Sequence, residues 1–171
     1  MLKDYLTGRE MADVGAEANR QALERVLVET KAYLPDDIVV DAPLEIEVAG
    51  EPYRSRIDLL VMAGQPPRAF MAIKCAAGSL GSREREIVSA ARIYSRYQVP
   101  LAVVSDGRNA IVLDTVSGRK IAEGVAAIPD RQAAMAQIAQ TIPRAYPRER
   151  LEREKLIFRS YDQLNVNVVR P

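Results

Sequence analysis

The spacing of apolar residues predicts one long helix followed by three strands in the first half of the chain. From Glu10 to Tyr33 the apolar residues recur at helical spacing without an internal proline, which predicts an amphipathic helix. Residues 38–48 then alternate between apolar and polar, as in a half-exposed strand. Two short apolar runs, 57–62 and 69–77, follow turns rich in glycine and proline and predict two more buried strands.

The second half is predicted to continue in the order helix, strand, strand, helix, helix. The predicted elements are a helix at 83–97, a hairpin formed by 101–105 and 111–115, and helices at 131–142 and 148–161. Ser82 is a favourable N-cap residue, Asp106-Gly107 supplies the positive φ angle of a tight turn, and a turn at Ser117-Gly118 predicts a further short edge strand. This order is typical of an α/β fold with a mixed β-sheet of about five strands flanked by helices.

Length and composition favour one globular domain. The chain has 171 residues, 48% of them apolar, and we place the domain at residues 1–143 with a C-terminal helical extension at 144–171. The 24 basic and 23 acidic residues give a net charge of +1, so an anionic partner would have to bind a local basic patch. No apolar run approaches the ~20 residues of a membrane span, and the first ten residues are too charged for a signal peptide. We therefore expect a cytoplasmic protein that does not contact a membrane.

The lack of histidine excludes several kinds of catalytic site. With no histidine in the chain, hydrolases that use a histidine base and most zinc sites are excluded. The single cysteine, Cys75, excludes an intrachain disulfide framework and a cysteine-rich metal site. Hydrolytic metal chemistry in this chain would therefore have to use oxygen ligands.

Two charged residues, Asp58 and Lys74, interrupt otherwise apolar strands. Burial of an isolated charge is costly, so each needs a partner or a purpose. One interpretation is a salt bridge between them, or strand ends that reach water. The other is a phosphodiesterase site, in which a carboxylate binds a divalent cation while a lysine orients water and offsets charge on the phosphate.

The order of these motifs resembles the PD-(D/E)XK nuclease superfamily, and within it the N-terminal nuclease-like domain of type I restriction enzyme R subunits. The resemblance extends over residues 17–115. It rests on Glu17, Arg20 and Gln21 in the first helix, Arg56-Ile57-Asp58 in one strand, Ala72-Ile73-Lys74-Cys75-Ala76 in the next, Tyr94 in the following helix, and Val104-Ser105-Asp106-Gly107 with Ile111-Val112-Leu113-Asp114 in the hairpin. It implies a restriction-endonuclease-like α/β fold.

The resemblance also implies roles for single residues. Lys74 and Glu17 would be catalytic, with Glu17 acting through water. Asp58 and the backbone carbonyl of Ile73 would bind the metal, which would be Mg²⁺ or Mn²⁺.

Two positions depart from the family pattern. The family's glutamate two residues before the lysine is Ala72 here, and its helix glutamine four residues before the tyrosine is Ala90. Loss of an anionic ligand predicts a weakened or absent metal site, so the chain would then use no cofactor. Some relatives in the superfamily carry the acidic residue on a neighbouring helix. Glu84 or Glu86 could supply it here, although acidic residues in a first helical turn also compensate the helix dipole.

Basic residues form a second candidate surface. Arg83, Arg85, Arg92 and Arg96 lie along the predicted helix 83–97 and could either follow a nucleic-acid backbone or form a solvated helix face. The C-terminal helix could pack on its own domain, dock onto a partner or mediate a homo-oligomer.

These observations leave three functions open. The first is a catalytically impaired nuclease-fold protein that binds nucleic acid or a protein partner, and the second is an active Mg²⁺-dependent DNA endonuclease with a relocated acidic ligand. The third is a structural or regulatory domain that self-associates. DNA and restriction–modification subunits are the partners that the resemblance implies.

Overall fold

The computed structural model describes the backbone of residues 1–169 and the side chains of residues 1–164. The strands are β1 (Leu2–Lys3), β2 (Glu10–Met11), β3 (Ile38–Val48), β4 (Glu51–Ala63), β5 (Arg68–Cys75), β6 (Leu101–Ser105), β7 (Ala110–Asp114) and β8 (Lys120–Glu123). The helices are α1 (Glu17–Arg25), α2 (Glu84–Ile93), α3 (Arg131–Gln140) and α4 (Arg148–Val169). A π-helical turn, Val26–Thr30, continues α1.

Six of the strands form one mixed sheet in the order β3-β4-β5-β6-β7-β8. Neighbours are antiparallel except β5 and β6, which run parallel and are connected through α2. The predicted mixed sheet flanked by helices is therefore confirmed, and the short edge strand after Ser117-Gly118 is β8, the sixth member. The strands β1 and β2 form a separate two-stranded sheet.

The sheet separates two hydrophobic cores. On one face α1 and α3 cover Ile73 and Val103, with Leu23 of α1 and Ile138 of α3 fully buried. On the other face α2 and α4 cover a second group of buried residues: Leu60, Ala72, Ile87, Ala102 and Phe158. Because side chains alternate along a strand, strands β3 to β7 contribute to both cores, whereas the edge strand β8 contributes only Ala122 to the first.

The first helix is shorter than its apolar periodicity predicts. Glu10 and Met11 pair with β1 as strand β2, and Gly15 has a φ of 58°, so the predicted helical start at Glu10 is wrong. At the other end Ala32 has a φ of 63°, outside the helical region. The periodicity indicates which residues can pack on one face of a helix. It does not show where a residue with positive φ interrupts the helical backbone.

The predicted boundaries of the second helix are also wrong. The helix ends at Ile93, and the chain then turns so that the Val99 amide donates to the Ala91 carbonyl at 2.9 Å. Ser82 does not cap it, because its hydroxyl donates to the Ser79 carbonyl at 2.9 Å. A 3₁₀ turn, Gly81–Arg83, leads directly into α2.

The turn between β6 and β7 positions α1. Gly107 has a φ of 87°, and a Cβ at this position would lie 2.8 Å from Cβ of Ala22 and 3.0 Å from the Asn19 carbonyl. Only glycine permits both the backbone conformation and this close approach. The Asn19 side chain in turn donates to the Ala76 carbonyl at 2.8 Å, so α1 is held beside the end of β5.

The C-terminal helix packs on its own domain, against α2 and β3. Phe158 is buried in the core and meets the Tyr53 ring edge to face, with centroids 6.4 Å apart. Asp162 accepts hydrogen bonds from the hydroxyls of Tyr53 and Ser55. Of the predicted extension 144–171, residues 170–171 lie outside the described residues. Within the described part of the chain no helix is long and apolar enough to cross a membrane.

Candidate functional site

The two charges predicted to interrupt apolar strands meet at one end of the sheet. Asp58 of β4 and Lys74 of β5 lie on neighbouring strands, with Nζ of Lys74 3.9 Å from Oδ2 of Asp58. The backbone amide of Cys75 donates to the same oxygen at 2.8 Å, which fixes the carboxylate. The side chains of Asp58 and Lys74 are 19% and 23% exposed, so both are accessible from solvent.

A second carboxylate reaches Lys74 from helix α2. Oε1 of Glu86 lies 3.5 Å from Nζ of Lys74, and its Oε2 lies 3.7 Å from the guanidinium of Arg83. Only 4% of the Glu86 side chain is exposed. The structure thus brings Asp58, Lys74 and Glu86 together, from three different elements.

The position of Ala72 explains why a helix residue can fill this place. Ala72 lies two residues before Lys74 and therefore on the same face of β5, the face that α2 covers. It is completely buried, and its methyl group packs in the core beneath α2. Glu86 comes from α2, the helix that covers this face, and its carboxylate lies 3.5 Å from Nζ of Lys74.

The carboxylates keep the Lys74 ammonium charged. Burial disfavours the charged form, but the nearby Asp58 and Glu86 outweigh it, so the pKa of Lys74 lies above its ordinary value. At neutral pH the group is therefore a hydrogen-bond donor and a positive charge.

The chain is matched over residues 15–129 by the family described as "Type I restriction enzyme R protein N terminus (HSDR_N)". The match covers well over half of the chain. The protein belongs to this family. Comparison with curated proteins and with solved structures gave no match.

In this R-protein N-terminal domain, the other acidic residue proposed on α2 points elsewhere. Glu84 lines a groove of about 470 Å³ together with Ser117 and Lys120. The two glutamates are two positions apart, which on a helix places them about 200° apart around the axis. Of the two candidates, only Glu86 reaches Lys74.

Glu17 lies in a separate network around Arg20, the residue that the resemblance placed beside it. Its Oε1 accepts from Arg20 at 2.7 Å and from Gln21 at 2.9 Å. The same guanidinium binds Asp41 at 2.9 Å and Asp4 at 3.3 Å. The structure therefore pairs Glu17 with Arg20, and Lys74 pairs with Asp58 and Glu86.

Asp41 is a residue of this region that the sequence reasoning missed. Its neighbours Val40 and Ala42 pair with Leu59 and Ile57, so Asp41 lies opposite Asp58 in the ladder. Its φ of 52° turns the strand at this point. The available signal was a third charged residue interrupting an apolar strand, in Val39-Val40-Asp41-Ala42.

Glu24 adds a buried titratable group to the Arg20 network. It is fully buried on α1, 3.8 Å from Nε of Arg20. Burial, together with the negative charge of Asp4, raises the pKa of Glu24 to about 7.

This shift predicts a stability that falls as the pH rises through neutrality. Since the carboxyl binds its proton more tightly in the folded chain, its contribution is full below the ordinary pKa of 4.5 and is lost as the pH passes 7. At about 1.4 kcal/mol per pKa unit, the loss between pH 5 and 8 is on the order of 2–3 kcal/mol. Urea unfolding of the natural chain and of Glu24→Gln at both pH values measures this effect. The Glu24→Gln variant should lose this part of the pH dependence of the free energy of unfolding. An unchanged pH dependence in the variant would contradict the assignment of the effect to Glu24.

The four arginines proposed as a nucleic-acid surface have different surroundings. Arg85 and Arg92 bind Glu154 of α4, and Arg92 also donates to the Thr115 carbonyl at 3.0 Å. Arg83 is beside Glu86, whereas Arg96 lies beyond the end of α2, over the Tyr97 ring. Nucleic-acid binding by these residues stays a prediction.

Two other predicted positions, Ala90 and Ile73, are buried in the core and in the sheet. Ala90 lies on the buried face of α2, so a glutamine there would have to displace neighbouring side chains. Ile73 is paired with Leu59 of β4 and with Val103 of β6. Its carbonyl as a metal ligand also stays a prediction.

Proposed function

We propose that this domain is a PD-(D/E)XK-type endonuclease that hydrolyses DNA phosphodiester bonds with a divalent cation, Mg²⁺ or Mn²⁺. The observation that carries the proposal is the convergence of Glu86 and Asp58 on Lys74, at 3.5 Å and 3.9 Å. In it Glu86 takes over the role of the glutamate that Ala72 replaces. In this proposal the protein acts on DNA in the cytoplasm.

The donor set fits a small, hard cation. Asp58 and Glu86 offer carboxylate oxygens, the ligand type that Mg²⁺ and Mn²⁺ prefer. Among the described residues there is no group of three or more His, Cys, Asp or Glu side chains placed to hold a metal. Two carboxylates are nevertheless sufficient for Mg²⁺, which usually keeps several waters and shares substrate phosphates. Asp58 and Glu86 would hold the cation, with the Ile73 carbonyl as a further oxygen.

The side chains have separate roles in this proposal. A bound cation supplies Lewis-acid polarisation of the phosphate and lowers the pKa of a water molecule. The Lys74 ammonium stabilises negative charge that develops on the attacked phosphate and orients the attacking water. Glu17 is a positioning residue here, because it holds the Arg20 guanidinium that binds Asp41 opposite Asp58.

A second candidate function is a nuclease fold that binds nucleic acid or a protein partner without cleaving. The observation that favours it is the methyl group of Ala72, packed in the core where the family has a carboxylate. In this case Lys74 serves as the charge partner of Asp58 and Glu86, and the chain uses no metal. Self-association through α4 and binding of restriction–modification subunits belong to this candidate as proposals.

Calorimetric titration of Mn²⁺ and Mg²⁺ into the purified chain separates the two. We expect Mn²⁺ binding that Asp58→Ala weakens at least about 10-fold, because one of the two anionic ligands is lost. Ala72→Glu is the comparison variant that restores the family's strand carboxylate. If the natural chain binds no metal and Ala72→Glu does, the endonuclease proposal is wrong and the second candidate is supported.

A further inference from the structure

A carboxylate of the C-terminal helix is buried against helix α2. Only 3% of the Glu154 side chain is exposed. Its two oxygens accept hydrogen bonds from the two terminal guanidinium nitrogens of Arg85, Nη2 at 2.9 Å, and from Arg92 at 3.2 Å. The hydroxyls of Ser89 and Tyr146 complete the set at 3.0 Å and 3.1 Å.

This arrangement keeps Glu154 ionised. Burial alone would raise its pKa, but the hydrogen bond and charge of Arg85, with the charge of Arg92, lower the pKa of Glu154 to about 2. A buried carboxylate with charge-assisted bonds has a fixed position. Removing it would leave two arginines partly buried without their partner.

The three α2 residues that bind Glu154 share one face of the helix. Arg85, Ser89 and Arg92 are spaced i, i+4 and i+7, which defines one line along an α-helix. Contacts at both ends of this line restrain α2 from rotating about its axis. Glu86 follows Arg85 directly and therefore lies about 100° around the same helix. Glu154 is thus one of the contacts that fix the rotation directing Glu86 at Lys74, together with the core packing of Ile87 and Ala91.

The first turn of α2 begins without a side-chain cap. Among the described residues no side chain caps its N-terminus, and the Ser82 hydroxyl donates to the Ser79 carbonyl of the preceding loop. A helix start without a cap depends on tertiary contacts for its position. In the first turn those contacts include the ion pairs of Arg85 with Glu154 and of Glu86 with Lys74, and Glu86 also pairs with Arg83.

From these contacts we propose that Glu154 is a positioning residue of the Asp58–Lys74–Glu86 site. It acts through Arg85, Ser89 and Arg92 to hold the Glu86 carboxylate at Lys74. Helix α4 lies outside the residues that match the family, 15–129, so the C-terminal extension supports a site built by the family domain. The effect of Glu154 on metal binding rests on the proposed function.

The test replaces Glu154 with Gln in the full chain and measures Mn²⁺ affinity by calorimetry. We expect about 10-fold weaker binding, as for other residues that orient a metal ligand without touching the metal themselves. Glu154→Asp, which keeps the charge, should bind Mn²⁺ more tightly than Glu154→Gln. Glu152→Gln is the matched control, because Glu152 lies on the same helix but is 64% exposed, and its ion pair is with the neighbouring Lys155.

Two further variants separate positioning from a loss of stability. Ile138→Val shortens a buried side chain in the core on the opposite face of the sheet, and its Mn²⁺ affinity should match that of the natural chain. Ser89→Ala removes one contact to Glu154 and should weaken Mn²⁺ binding about 2-fold to 3-fold, even if Glu154→Gln fails to fold. Unchanged affinity in both Ser89→Ala and a folded Glu154→Gln overturns the inference.

Crystal structures of the natural chain and of Glu154→Gln provide a test that does not depend on metal binding. Displacement of the Glu86 carboxylate from Lys74 in the variant supports the positioning role, and an unchanged contact overturns it. If the natural chain binds no Mn²⁺, the proposed function fails while this comparison still decides the inference.

Discussion

Replacing Glu86 with alanine is expected to lower Mg²⁺-dependent DNA cleavage about 100-fold or more. The variant removes one of two carboxylates that converge on Lys74, and with it an anionic ligand and the orientation of the lysine. Cleavage of a plasmid under single-turnover conditions measures the loss. Glu84→Ala is the matched control, because Glu84 is an acidic residue of the same helical turn that lines a different groove.

A double variant tests whether Glu86 stands in for the family's strand carboxylate. Ala72→Glu combined with Glu86→Ala moves the carboxylate from α2 back to β5, on the face shared with Lys74. We expect the double variant to recover about 10-fold of the activity that Glu86→Ala loses. Full activity in Glu86→Ala would show that this carboxylate takes no part in cleavage.

Phe158→Ala is expected to destabilise the chain by about 3–5 kcal/mol, the usual cost of removing a fully buried aromatic side chain. Phe158 belongs to the core between the sheet and α2, and its ring contacts Tyr53 of β4. Its loss would leave a cavity beneath α4 and remove an edge-to-face aromatic contact. Urea unfolding monitored by circular dichroism gives the free energy of unfolding.

Leu156→Ala is the control for this prediction, because Leu156 lies on the same helix and is 41% exposed. We expect its effect to stay within about 1 kcal/mol. A loss of less than about 1 kcal/mol in Phe158→Ala would mean that α4 unfolds separately from the sheet and its other helices.

The elements of the sheet could be predicted from local pattern. The alternation in residues 38–48 and the apolar runs around Asp58 and Lys74 identify β3, β4 and β5, because a strand must match its side-chain period to a buried face. Consecutive strands joined by short turns become neighbours in a sheet. That is why the meeting of Asp58 and Lys74 could be expected before the fold was known.

The sequence alone could not choose between Glu84 and Glu86. Both lie in the first turn of α2, and helix-dipole compensation accounts for either of them equally well. The choice depends on the rotation of α2 over the sheet, which is set by contacts with residues far away in the chain. Glu154, 68 positions after Glu86 by residue number, is one of these contacts.

By itself, the sequence determined the order of the strands and helices from the first helix onward, the oxygen-only character of any metal site, and the family to which the chain belongs. Tertiary structure decided that α1 starts at Glu17, that Arg20 gathers Glu17 and Asp41, and that Arg85 and Arg92 face Glu154. Periodicity reports which side of a segment is apolar, because that depends on neighbours a few residues away. The partner of a polar side chain depends on the packing of distant elements, and only the folded chain brings those elements together.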